Sequence, residues 1–165
     1  MPRASCSAGT PEPEILRRGK AFHRRVQRDW EDLATDGVVD SEHTIEISRD
    51  TQRVRSGRLH LFVDDLGDFV SVVEIKSTDW DRVKPENRRR LVASHRRQIW
   101  RYIETFLDRE RVDVCAGVIY PRAPRTPGLR REIEELLNDY GLQVVWYDGQ
   151  RAPFERGLAE PAGFR

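Results

Sequence analysis

Lysine is nearly missing from this chain of 165 residues. It occurs only at Lys20, Lys76 and Lys84, so 26 of the 29 basic residues are arginine. Where positive charge alone is needed, arginine has been used. Each remaining lysine is therefore a place to look for chemistry that a planar, permanently charged guanidinium does badly. Cysteine is scarce too. Cys6 and Cys115 are too few for a disulfide framework, and nothing near them has metal-ligand spacing. No apolar run approaches the roughly 20 residues that span a bilayer, and the mean hydropathy is −0.71. Met1 to Pro11 lacks the apolar core of a secretory signal. The net charge of +1 says nothing about partners. These absences leave the expectation of a soluble, cytoplasmic protein of about one domain's length.

Residues 1–11 are small and polar with two prolines, and are expected to be disordered. One domain is expected over 12–148, with a flexible tail over 149–165. Glu14 to Leu33 reads as a helix whose Ile15, Phe22, Val26, Trp30 and Leu33 share one apolar face, with Gly37 ending it. Thr44–Ser48 alternates like a strand. Arg58–Asp64 and Phe69–Lys76 read as a strand hairpin about Asp65-Leu66-Gly67-Asp68. Pro85 suits the first turn of a helix over Glu86–Leu107, with Leu91, Ile99, Ile103 and Phe106 inward. Val112–Tyr120 is a continuous apolar run, as in a buried strand, and Pro121 stops it. Leu129–Tyr140 follows as a helix and Leu142–Tyr147 as a strand. The order αβββαβ and then αβ predicts an α/β fold, a mixed sheet with helices against it.

Chemistry concentrates at the end of the second hairpin strand. Glu74 and Lys76 stand two apart, so both leave one face. A carboxylate beside an ammonium can hold a divalent cation and steer a water. Taken alone, the E-x-K tripeptide is a surface ion pair. Two more patterns accompany it. The first helix carries Gly19-Lys20-Ala21-Phe22-His23, and the helix after E-x-K carries Gln98-Ile99-Trp100-Arg101-Tyr102. Gln98 and Tyr102, four apart, share a helical face with Leu91 and His95.

In this order and on these elements, the G-x-x-x-H, E-x-K and Q-x-x-x-Y patterns resemble the RecB-like branch of the PD-(D/E)XK nuclease superfamily. The resemblance covers residues 14–120. It implies a restriction-endonuclease-like αβββαβ core, here extended by an αβ unit over 121–148. It further implies Mg²⁺- or Mn²⁺-dependent hydrolysis of phosphodiester bonds. Glu74, Lys76, Gln98 and Tyr102 would be the catalytic group. His23, Glu74 and the backbone carbonyl of Ile75 would be metal ligands.

The chain departs from the pattern at one position. The family carries an acidic ligand after G-x-x on the preceding strand, and Gly57-Arg58-Leu59 leads instead to His60. With a three-residue loop, Asp64 would pair with Asp68, His60 with Val72 and Arg58 with Glu74. His60 would then share the Glu74 face, and Asp64 would lie about 20 Å from Glu74 at roughly 3.3 Å per residue. A two-residue loop would put His60 on the opposite face. His60 is thus the expected stand-in ligand, with Asp64 as the fallback. A histidine nitrogen suits manganese better than magnesium. The alternative is a catalytically weakened module that binds nucleic acid, or a partner protein in a larger complex, without cutting.

The charge map points to a polyanion. Between Arg82 and Arg101 there are eight basic residues and a single acid, Glu86, a net +7. Arg88, Arg89, Arg96, Arg97 and Arg101 from this stretch, with Arg24 on the first helix, are the expected contacts to phosphates. Arg25 and Arg28 add charge there, and His95 offers one further contact. Such contacts are made without reading sequence. Nucleic acid is the expected partner, DNA ahead of RNA, and no membrane is. The competing reading is a solvated helix face paired with Asp79–Asp81 or Glu132–Glu135.

Overall fold

The computed structural model describes residues 12–33, 38–48, 54–64, 69–107 and 113–147. The expectations for Gly37, the 65–68 connection, the N-terminal segment and the C-terminal tail lie outside these. In chain order the elements are α1 (Glu14–Leu33), β1 (Val38–Ser48), β2 (Val54–Asp64), β3 (Phe69–Ile75), α2 (Pro85–Leu107), β4 (Asp113–Tyr120), α3 (Pro127–Asn138) and β5 (Leu142–Trp146). A short 3₁₀ turn, Trp80–Arg82, precedes α2.

The protein is α/β, with one five-stranded sheet in the order β1-β2-β3-β4-β5. β1, β2 and β3 pair antiparallel. β3, β4 and β5 pair parallel, as strands joined by crossover helices can. Side chains alternate across β3 with period two. Val70 and Val72 pack with Trp80, Val92, Ile99 and Ile103 of the α2 layer and with Leu129, Ile133 and Leu137 of α3. Val73 and Ile75 pack with Val26 and Trp30 of α1 on the other face. The sheet therefore lies between α1 and the α2–α3 layer. Among the described residues no helix is long and apolar enough to cross a membrane.

Several boundaries differ from the sequence reading. β1 begins at Val38 rather than Thr44, and β2 at Val54 rather than Arg58. Both are prolonged because each supplies the other's ladder, from Val38↔Asp64 to Ser48↔Val54. Polar residues within them hid this extension. β3 stops at Ile75, so Lys76 stands just beyond the strand. On α1, Val26 and Trp30 are buried and Phe22 half-buried as expected, but Ile15 is 75 % exposed. Its position at the first turn extends past the sheet's cover. On α2, Ile99 and Ile103 are buried and Leu91 is half-buried. α3 begins at Pro127, which suits a first turn, and ends before Gly141, whose φ of 70° suits glycine.

The hairpin register also differs. β2 and β3 pair as Leu61↔Val73, Phe62↔Val72, Val63↔Ser71 and Asp64↔Val70. The expected pairs His60 with Val72, Arg58 with Glu74 and Asp64 with Asp68 are each off by two residues. Five residues separate Asp64 from its partner Val70, where the expected register left three between Asp64 and Asp68. A shift of two preserves side-chain parity, so the expected face survives while the partner changes.

Candidate functional site

Where the β2–β3 ladder ends, His60 turns away from it. Its carbonyl accepts from Gln27 Nε2 of α1 at 3.4 Å. Its ring takes the place that a backbone partner would fill, with Ile75 N–H donating to Nδ1 at 3.3 Å. The same Nδ1 is 3.1 Å from Glu74 Oε2. The corrected register thus brings His60 directly against Glu74, one step closer than the diagonal relation expected. Asp64, opposite Val70, is four residues along β3 from Glu74. That is about 13 Å of strand, so the fallback ligand lies farther off than His60.

Glu74 is fully buried. Lys76 Nζ donates to its Oε1 at 2.6 Å. Gln98 Nε2 donates to the same oxygen at 2.6 Å and to the Tyr102 hydroxyl at 3.2 Å. Lys76 Nζ also donates to Gln98 Oε1 at 2.7 Å. Four residues singled out in the sequence as one catalytic group are therefore joined in one hydrogen-bonded cluster. The i,i+4 spacing on α2 places Gln98 and Tyr102 side by side, and the two-residue spacing at the end of β3 does the same for Glu74 and Lys76.

Burial pushes the Glu74 carboxyl up. The His60 contact and the Lys76 charge outweigh that and hold it below the usual carboxylate range. Its two oxygens are unequal. Oε1 has two donors, whereas Oε2 faces His60 Nδ1 alone, at 3.1 Å, the nitrogen that also lies 3.3 Å from the Ile75 N–H. One nitrogen cannot both accept from Ile75 N–H and donate to Oε2. A buried carboxylate oxygen left in this way calls for a proton or a cation.

His23 of α1 stands next to this oxygen's neighbour, its ring 4.5 Å centroid to centroid from that of His60. Gly19, one turn earlier on α1, explains the close approach. A Cβ there would come 3.1 Å from Ser77 Oγ, just beyond Lys76. Gln27, which fixes the His60 carbonyl, was not singled out in the sequence. Its signal was the α1 face it shares with His23. Among the described residues, no three His, Cys, Asp or Glu side chains are grouped as a metal shell. Glu74 Oε2 with His60 beside it, and His23 against His60, is nonetheless a donor set that fits a borderline divalent ion such as Mn²⁺ better than Mg²⁺.

Other expected residues lie apart. His95 is buried, and its Nδ1 bonds the Tyr120 hydroxyl at 2.9 Å, so it does not reach a phosphate. Arg96 lays its guanidinium 3.7 Å over the Tyr140 ring. Arg88 is half-buried, whereas Arg24, Arg89, Arg97 and Arg101 are exposed. Asp79 and Asp81, considered as counter-charges for α2, pair with Arg122 and Arg125. Glu134 pairs with Arg130 on its own helix.

Neither protein-family models nor curated proteins match this chain. The functional reading therefore rests on the cluster itself.

Proposed function

We propose that this protein is a metal-dependent nuclease of the PD-(D/E)XK type, RecB-like branch. In this reading it hydrolyses phosphodiester bonds of nucleic acid, DNA ahead of RNA, on a restriction-endonuclease-like core. The observation that carries the reading is the Glu74–Lys76–Gln98–Tyr102 cluster around one buried carboxylate, with His60 against its second oxygen.

In this reading Glu74 Oε2, His60 and the Ile75 carbonyl would hold a divalent ion, with His23 alongside, and the ion's chemistry there would be to lower the pKa of a water and offset phosphate charge. Lys76, held by Glu74 and Gln98, presents its ammonium to the developing negative charge. An arginine there would not fit this single-point contact. Gln98 keeps Lys76 and Glu74 in register, and Tyr102 holds Gln98.

Purified protein incubated with single- and double-stranded DNA and RNA and Mg²⁺ or Mn²⁺ tests this. Cleavage is expected, with Mn²⁺ above Mg²⁺. It should disappear in Glu74→Ala and fall by about 10²- to 10³-fold in Lys76→Ala, the size of one lost electrostatic donor. His60→Asp should preserve or raise the Mg²⁺-supported rate. The second reading, a module that binds without cutting, is favoured by His60 standing where the family pattern has an acid. It predicts binding that Glu74→Ala and Lys76→Ala leave unchanged.

A further inference from the structure

α2 supplies Gln98 and Tyr102 to the Glu74 cluster, and α1 borders the cluster from the His60 side. Two adjoining clefts run along α1 and share Arg24 and Gln27. Lys20 and His23 line one, and Arg28 lines the other. Lys20, Arg24 and Arg28 succeed one another at four-residue steps, so their cations stand on one stripe with a rise of about 6 Å per step. That step matches the spacing of successive phosphates along one strand. Arg28 Nε donates to the Arg24 backbone carbonyl at 3.3 Å, which lays the Arg28 side chain back along the helix. Lys20 pairs with Glu12, an exposed contact that a phosphate displaces at little cost. Glu31 closes the far end. The stripe leads to the site, because His23 and Gln27 on the same clefts touch or bond His60, and His60 meets Glu74.

The other end of the cleft is apolar. Ile15 and Leu16 line it and are 75 % and 55 % exposed. Such surface next to a row of cations has no use for a duplex, whose bases are stacked inside. It suits the faces of unstacked bases.

Resting on the nuclease reading, we propose that a single strand of nucleic acid lies along α1. Lys20, Arg24 and Arg28 take three consecutive phosphates, and Ile15 and Leu16 meet a base. Strand path and strand type are thereby assigned to α1 rather than to the more basic α2.

The test measures binding alone, in chelator and without metal, by fluorescence anisotropy of a labelled single-stranded DNA oligonucleotide and its duplex over a salt series. The full chain should prefer the single strand. The triple variant Lys20→Gln/Arg24→Gln/Arg28→Gln should lower the slope of log affinity against log salt by about 2, at roughly 0.7 per phosphate contact. Arg24→Gln alone should lower it by about 0.7. Arg89→Gln/Arg90→Gln/Arg97→Gln on α2 should change it less than the α1 triple does. These are exposed positions, and circular dichroism confirms that each variant folds. A full chain that binds the oligonucleotide, with a slope unchanged in both α1 variants, overturns the path and leaves the nuclease reading standing. A stronger loss in the α2 triple, or preference for the duplex, also overturns it. A full chain that binds no nucleic acid at low salt overturns the nuclease reading itself, and the path with it.

Discussion

Acidification should weaken this fold through His95. The ring is 6 % exposed and held by the Tyr120 hydroxyl. Burial first, and the Lys76 charge second, pull its pKa down to about 4, with Glu74 opposing. In the unfolded chain a histidine titrates near 6.5. Between these values the unfolded chain binds a proton that the folded protein refuses. Stability is therefore full at pH 7 and is lost as pH falls through 6.5, levelling off below about 4. The loss amounts to about 2 kcal/mol at pH 5 and about 3 kcal/mol at pH 4. The variant His95→Phe removes the titration and strands the Tyr120 hydroxyl, a pH-independent cost of about 1–3 kcal/mol. Urea unfolding of both proteins at pH 7, 6 and 5 separates the two effects. The original protein's advantage should shrink by about 2 kcal/mol from pH 7 to pH 5. An advantage that does not change with pH would refute the argument, because His95 would then carry its proton in the folded state too.

Three further outcomes follow from the packing and the cluster. Leu137→Ala, at a fully buried position on α3, should cost about 2–5 kcal/mol in urea unfolding and, on the nuclease reading, leave the cleavage rate per folded molecule unchanged. Gln98→Leu removes donors and an acceptor from Glu74 and Lys76. It should cost about 1–3 kcal/mol and, if the nuclease reading holds, slow cleavage without weakening oligonucleotide binding in chelator. Arg122→Ala breaks pairs with Asp79 and Asp81 whose arginine side chain is 46 % exposed. It should leave the urea midpoint nearly unchanged, as for an exposed pair, and a clear loss would mean that these loops act as a unit.

Local pattern was enough to find α1 to the residue, as well as the buried run that became β4. The Glu74 cluster was legible because its members are neighbours two or four apart on elements of known period. Only the packing of α2 on β3 had to be supplied. What escaped depended on contacts far apart in sequence. The hairpin register is a pairing that local pattern does not fix, and an error of two residues went unseen because it preserves parity. His95 stood on the expected stripe, but its partner Tyr120 is 25 residues away, so its burial could not be read from α2 alone. Gly19 looked like one letter of a pattern until Ser77 was placed against it.

Tyr147, just past β5, bonds Asp29 of α1 through its hydroxyl and packs edge-on against Phe22. It belongs to the same buried cluster as Val26 and Trp30. The last strand thus reaches back across the molecule to seat the first helix. A fragment trimmed after Tyr120 would retain His23, His60, Glu74, Lys76, Gln98 and Tyr102. It would lack part of the floor on which α1 rests, and His23 would lose its fixed place beside His60. The αβ unit after β4 is in this sense a foundation for the site rather than an appendage.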